Sequence, residues 1–516
     1  MATKQKKKQA SSLNKTRALV GLALLALSFV LAWVSNNFAS LTGWWSFAGL
    51  LLLLAGVCWL AWRVLQAEKA PRWLAWLVLG AIAFRLVLSI VWLLGLPAWG
   101  YDTDVQAAGY VMQDAFNRDS AAWQFTQSGE PLWKAFAGYS STDQYGGLLF
   151  LSAAIYKYLA APSHMPILTL LPAAVISGLA VAFAWAVGVR AFGKKVAWLA
   201  AWALALYPEA ALLGSSQMRE AFTVCLLPIV LLGVLQVVNG PRRSGWQLLV
   251  MSFASAAFLS WPFVSSLLFF AVITWLALTH WAVLRDRRTW LALGLLALVA
   301  GLYFFVFSSL GETWLVQSAD WQVYVSENSS GWVARQFERM PLWAQVPFLV
   351  AYGLVRPLLP AALAAGGPAI WTVIGVWRAL GWTALLAMLV YASYLVIRSR
   401  SWLQLPAAWL LANWAVSLVA SYRGGGDLWD NPRYRSAFAS VQVLLAAWAW
   451  VRQQETQDPW LRRSLGSALI LCAWFIPWYL RRYVGLEWWP IVDLYQLVGI
   501  GLATSALYIL WDWLRA

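Results

Sequence analysis

Runs of about 20 apolar residues recur along this 516-residue chain, punctuated by short clusters of lysine and arginine. A helix rises about 1.5 Å per residue, so a run of that length matches the roughly 30 Å hydrocarbon core of a bilayer. The chain is 62% hydrophobic and 11% charged, whereas a soluble domain carries about a quarter charged residues. No water-soluble core could hide that much apolar surface, so lipid is the solvent for most of it. The pattern predicts an all-α polytopic membrane protein with about fourteen transmembrane helices. They are expected at 17–35, 43–62, 73–96, 167–189, 196–213, 220–239, 246–260, 262–284, 290–308, 369–397, 403–421, 433–451, 464–480 and 490–511. The pair 246–260 and 262–284 reads as a broken hairpin around Trp261-Pro262.

The net charge of +16 does not indicate a nucleic-acid partner, because the basic residues form no stripe and instead punctuate the apolar runs. About 23 of the 37 basic residues, but about 5 of the 21 acids, fall on one side of the expected membrane. That asymmetry orients the chain. Residues 1–16 form a basic cytoplasmic tail with no cleavage pattern behind it, and the linkers holding Arg63/Lys69/Arg72, Arg190/Lys194/Lys195, Arg242/Arg243, Arg285/Arg287/Arg288, Arg398/Arg400 and Arg452/Arg462/Arg463 are cytoplasmic. This requires the apolar stretches 145–160 and 344–363 not to span. The first is short and holds Lys157; the second carries Arg356, Pro347, Pro357 and Pro360. Both read as interfacial or re-entrant helices on the outer face.

The resulting organisation is a tail at 1–16, two leading spans within 17–72, a transmembrane module at 73–308 with a first outer loop at 97–166, a second outer loop at 309–368, and further spans at 369–516. Both termini are expected on the cytoplasmic side of the cell membrane. Cytoplasmic linkers are short, so any chemistry belongs on the extracytoplasmic face. Cys58, Cys225 and Cys472 lie inside apolar runs as small hydrophobes, and His164 and His280 are too far apart for a histidine metal site.

Charges standing against their solvent mark four places. Arg85 sits mid-span in the helix that delivers the chain to the outer face, where an arginine is expensive unless paired or facing a cavity. Immediately beyond come Tyr101, Asp102 and Asp104, read either as a half-shielded general-base pair or as solvated loop acids. Two carboxylates also admit a divalent cation. In LYPEAALLGSSQMRE, Glu209 and Arg219-Glu220 lie between two spans, as functional acids or as charges favoured by a helix N-terminus. In RGGGDLWDNPRYR, Arg423, Arg433 and Arg435 stand beside Asp427 and Asp430 at the outer leaflet, against the positive-inside bias; a phosphate ligand or pairing with the loop acids explains them. Arg481 and Arg482 raise the same question, and Asn328-Ser329-Ser330 matches a glycosylation sequon.

The run from Arg85 to Glu220 resembles the core module of the GT-C membrane glycosyltransferases, in particular the dolichyl- or polyprenyl-phosphate-mannose–protein mannosyltransferase and aminoarabinose-transferase-like branch. The likeness is an ordered series: an arginine-bearing helix, the acidic opening GYDTD, an aromatic interfacial helix QYGGLLFLSAAIYKYL, the basic turn VRAFGKKVAWLAA, and a second acidic loop LYPEAALLGSSQMRE. AFLSWPFVSSLLFF is similar to the hairpin that follows, with Trp261 where a basic residue often stands, and NPRYRSAF resembles the late arginine motif. The resemblance implies an inverting hexosyl- or pentosyltransferase that takes sugar from a polyprenyl-phosphate donor and passes it to a protein, lipid or glycan acceptor outside the membrane. It casts Asp102 or Asp104 as general base, Glu220 with Arg219 in the second-loop role, and Arg433 or Arg435, beside Arg423, on the lipid phosphate, with Arg85 and Tyr101 in support. Alternative readings are a transporter or flippase of lipid-linked glycans, which should carry ionisable groups at the bilayer midplane, and a glycan polymerase.

Overall fold

The computed structural model describes residues 2–137, 143–280, 331–402, 404–424, 432–485 and 487–515, with Leu291, Gly294 and Leu298 between them. Among the described residues every long element is a helix. The expected span 290–308 and the sequon at Asn328, like Asp427 and Asp430, lie outside the described residues, apart from those single positions.

Ten helices are long and apolar enough to cross a membrane: α1 (Ala2–Ser35, through Ala18–Ser35), α2 (Trp44–Ala67), α3 (Arg72–Trp99), α7 (Pro166–Phe192), α10 (Arg219–Asn239), α12 (Trp261–Leu278), α16 (Ala369–Ser399), α17 (Leu405–Arg423), α20 (Trp460–Val484) and α21 (Leu494–Arg515). The chain is a multi-pass membrane protein. The expected span 196–213 is instead a bent pair, α8 (Lys194–Leu206) and α9 (Pro208–Gly214), meeting at 54°. Pro208 holds Tyr207 extended, at φ −62° and ψ 121°, and so breaks the helix there. The expected spans 246–260 and 433–451 coincide with α11 (Arg242–Leu259) and α19 (Ala439–Thr456), each 18 residues long but too polar to join the ten. The described helices therefore number ten to eleven candidate spans. The stretches 145–160 and 344–363 form α6 (Gly147–Tyr158), α14 (Leu342–Val355) and α15 (Leu359–Ala364), all shorter than a span. α13 (Gly331–Arg339) precedes them.

The chain divides into two compact units, and the division does not follow the expected domain boundaries. The first comprises Met1–Ala182, Ala211–Cys225 and Ser255–Trp261. The segment expected as the first outer loop folds as α4 (Asp104–Ala107), α5 (Gln113–Gln127), a 3-10 turn (Leu132–Phe136) and α6, with α5 lying along α6. Ser46 Oγ donates to the Leu159 carbonyl at 2.7 Å and Trp45 Nε1 to that of Ala160 at 3.1 Å, which ties the start of α2 to the end of α6. Gly147 is required at the start of α6, since a Cβ there would lie 1.8 Å from the Phe258 carbonyl oxygen. Phe136, Phe150 and Phe258 close that junction, with ring centroids 5.6 to 5.7 Å apart.

The second unit comprises Phe183–Ala210, Leu226–Ala254 and Pro262–Ala516. Here α8 and α16 pack on α19, α14 on α17, and α15 and α21 on α20. α10 and α11 cross at Gly233 and Gly245, where a Cβ on Gly245 would stand 2.6 Å from the Gly233 carbonyl oxygen. Such small-residue crossings let helix backbones approach in a membrane. Buried Trp409 donates to Thr274 Oγ1 at 2.8 Å, joining α17 to α12.

The sidedness proposed from charge has a direct readout. Gln127 is exposed at the end of α5. A cysteine at that position should react with a membrane-impermeant thiol reagent on intact cells. One replacing Lys6 should react only after lysis. The reverse pattern would invert the topology.

Candidate functional site

The acidic loop begins where α3 ends. Gly100 follows Trp99, and a Cβ there would fall 2.3 Å from Gln106 Oε1 and 2.5 Å from the Leu96 carbonyl oxygen, so only glycine turns the chain this sharply. Gln106 folds back, its amide oxygen accepting from the Tyr101 N–H. Thr103 caps α4, its hydroxyl accepting from the Gln106 N–H at 3.4 Å. Gly109, at φ +79°, brings the end of this turn against Leu93 of α3. A pinned loop thus presents Tyr101, Asp102 and Asp104.

Asp102 and Asp104 are both exposed, and neither carboxylate makes a hydrogen bond or ion pair among the described residues. The half-shielded environment expected from the sequence is not there: the turn packs against α3 through Gly100 and Gly109 and leaves both carboxylates exposed. Asp104 occupies the first turn of α4, which is the solvated-acid alternative in its local geometry. No group of three or more His, Cys, Asp or Glu that could hold a metal ion occurs among the described residues. Two carboxylates suit a magnesium-like ion only when water and substrate phosphate complete the shell.

The other acids of this loop segment are buried, and the sequence reading overlooked them. Asp119 of α5 is fully buried and accepts four donors: Tyr110 Oη at 2.6 Å, Tyr156 Oη at 2.9 Å, Thr169 Oγ1 at 2.9 Å and His164 Nε2 at 2.9 Å. Burial first, and then the Asp119 charge, push the Tyr110 and Tyr156 hydroxyls above the usual phenol range, so both remain donors. This carboxylate clamps α5 to α6 and α7. Its buried face, Ala115, Arg118, Asp119, Ala122 and Phe125, has helical spacing. Two charges within an otherwise small and apolar stripe were the available signal.

Asp143 lies at the N-terminus of α6, where Oδ2 accepts from the Leu149 N–H at 2.9 Å. It stands between two guanidiniums, 3.7 Å from Arg118 Nε and 3.4 Å from an Arg219 terminal nitrogen. Arg118 also donates to the Gln217 carbonyl at 2.9 Å. Burial, and then the neighbouring Arg219, depress the Arg118 guanidinium to about 10, while Asp143, Asp114 and Glu220 oppose the shift; it stays a cation at neutral pH. Arg219 lies over the Tyr145 ring, 4.7 Å from its centroid, and Glu220 is buried beside this cluster. The structure therefore joins Arg219 and Glu220 to Arg118 and Asp143 of the first outer loop. Glu209 parts company with them. It belongs to the second unit, where it is buried and pairs with Arg378 Nε at 3.0 Å.

Arg85 is fully buried, donating Nε to Ser177 Oγ at 2.9 Å and a terminal nitrogen to the Ala81 carbonyl at 3.0 Å. Gly214 makes room for it, since a Cβ there would sit 2.8 Å from the Arg85 Cδ. Arg85 is a tie between α3 and α7, as its cost at membrane depth demanded.

The late arginines separate into two kinds. Arg435, on the four-residue helix α18 (Arg433–Ser436), is buried. It stacks 3.7 Å above the Trp382 ring and donates to the carbonyls of Gly353 and Arg356. Both terminal nitrogens of the guanidinium expected on the lipid phosphate are thus engaged by the main chain. Arg433 and Arg423 are half-buried and lie against the Tyr434 ring, 5.0 and 5.9 Å from its centroid. Positions 433 and 435 face apart, as residues two apart on a helix do.

Asp119→Ala would remove the carboxylate that accepts from the buried Tyr110 and Tyr156 hydroxyls, each costing about 1–3 kcal/mol if left unsatisfied. It should sharply lower thermal stability in detergent, read as loss of the monodisperse peak after heating. Asp102→Asn and Asp104→Asn, exposed and unpartnered, should stay within about 0.5 kcal/mol of the parent. Equal stability of all three variants would overturn this division of the acids.

No protein-family model matches the chain, and no curated protein matches it. Among solved structures, the archaeal oligosaccharyltransferase AglB from Archaeoglobus fulgidus, in complex with an inhibitory peptide and a dolichol-phosphate, aligns with a TM-score of 0.34 and 14% identity. The alignment covers 84% of this chain and 54% of that one. A superposition that loose establishes neither a shared fold nor a shared activity.

Proposed function

We propose that the protein is a membrane glycosyltransferase of GT-C type, moving a sugar from a polyprenyl-phosphate donor to an acceptor hydroxyl on the extracytoplasmic face. The observation that carries this reading is the division of acids in the first outer segment. Asp119 and Asp143 are buried among donors, whereas Asp102 and Asp104, on a pinned loop, have exposed carboxylates with no partner among the described residues. A general base must reach substrate, and these two can. The ordered likeness of Arg85 to Glu220 to the GT-C module supports the same assignment.

In this reading Asp102 or Asp104 takes the proton of the acceptor hydroxyl as its oxygen attacks the anomeric carbon. The bond from that carbon to the phosphate oxygen breaks with inversion, and polyprenyl phosphate leaves. The sequence likeness assigns the lipid phosphate, and the charge that grows on it, to Arg433 or Arg435 beside Arg423. Glu220 and Arg219, joined to Arg118 and Asp143, shape the second acidic loop. The transport reading gains little. Arg85 is bonded to Ser177 and a carbonyl, and Arg378 is paired with Glu209, so both mid-span arginines serve packing.

Transfer from a polyprenyl-phosphate sugar to a hydroxyl acceptor tests this in detergent or nanodiscs. Removing the true base from the Asp102/Asp104 pair by Asn substitution should cost about 10²–10⁴ in kcat. Arg433→Gln should raise the donor KM roughly tenfold or more, as expected when a charge-assisted hydrogen bond is lost. Wild-type transfer by Asp102→Asn, Asp104→Asn and their double variant would sink the proposal.

A further inference from the structure

A groove of about 530 Å³ opens between the start of α8 and the end of α19, within the second unit. Lys194, Lys195, Trp198, Trp450, Gln454 and Glu455 line it. The two linkers that meet there, 190–195 and 452–463, are among those the charge pattern assigns to the cytoplasmic face.

The electrostatics of the groove are one-sided. Lys194 and Lys195 are exposed and make no ion pair among the described residues. Glu455, the acid in the lining, is engaged by Arg452 at 3.1 Å. Both lysines occupy the first turn of α8, where the helix dipole disfavours cations, and Gly193 ahead of them supplies no side-chain cap. An anion seated there reverses the sign of each of these interactions. Trp198 and Trp450, 49% and 42% exposed, add two amphipathic ring walls, the side chains that settle at headgroup depth.

We propose that this groove binds the phosphodiester headgroup of an anionic phospholipid, with the lysines and the open first turn of α8 on the phosphate and the two tryptophans against the glycerol region. The site is separate from the residues assigned to sugar transfer and stands whether or not that assignment holds. Its volume falls in the range of small-molecule sites. Two exposed tryptophan walls beside the paired lysines favour a lipid over a free phosphate ion.

Native mass spectrometry of the full chain in detergent, titrated with phosphatidylglycerol, phosphatidylcholine or inorganic phosphate, tests the proposal. The parent should retain phosphatidylglycerol selectively. The double variant Lys194→Gln, Lys195→Gln should bind it roughly 10- to 30-fold more weakly, at about 1 kcal/mol per lysine. Arg242→Gln, Arg243→Gln, an exposed basic pair on another linker, should bind as the parent does. Trp450→Ala keeps the charge unchanged and should also weaken retention. Unchanged binding by the lysine variant, equal loss in the arginine control, or displacement of the lipid by millimolar inorganic phosphate would each overturn the site.

Discussion

A bare charge inside a bilayer costs several kcal/mol unless the protein supplies the shell that water would have given. Much of the architecture follows from that cost. Arg85 has Ser177 and the Ala81 carbonyl, Arg378 has Glu209, and Arg435 has two carbonyls and the face of Trp382. Asp119 has four donors and Asp143 two guanidiniums and a backbone N–H. Each arrangement joins elements distant in sequence, so satisfying a charge and fixing the fold are one event. The groups left over are then informative. Asp102 and Asp104 make no hydrogen bond or ion pair through their carboxylates among the described residues, and the base role in the proposed chemistry is assigned to them for that reason.

Much of the helical layout was legible because hydrocarbon thickness imposes its length on the sequence. Ten spans stand where apolar runs of that length stand, and the short stretches around Lys157 and Pro347 fold as helices too short to cross. What failed to show was continuity. The run 196–213 reads as one span, yet Pro208 bends it by 54°. α11 and α19 stand where spans were expected, but each carries too many polar residues to be counted among the ten.

The candidate site was legible only in part. That Arg85 needed partners followed from its depth; that Ser177, 92 positions on, supplies one did not. Asp119 escaped notice because Tyr110, Tyr156, His164 and Thr169 converge on it only in three dimensions. The arginines of NPRYR looked equivalent because sequence lists residue types and not helix faces. Two positions apart, Arg433 and Arg435 point into different surroundings, one beside Tyr434 and the other onto Trp382.

The same cost accounts for which polar groups the second unit leaves without a protein partner. Asn413, Ser417 and Ser421 repeat at four-residue intervals on α17, all buried, and neither the Asn413 amide atoms nor the two serine hydroxyls find a hydrogen bond among the described residues. Ser440 Oγ and Gln442 Oε1 of α19, which packs beside α17, share that condition. A neutral hydroxyl or amide left this way costs about 1–3 kcal/mol, well below the penalty for an isolated guanidinium or carboxylate. Helix packing at Gly353, where a Cβ would stand 2.7 Å from the Ser421 carbonyl oxygen, holds the helices together regardless. Each buried guanidinium of Arg85, Arg378 and Arg435 holds at least one protein partner, whereas these neutral groups on α17 and α19 stand where α14, α17 and α19 pack closely.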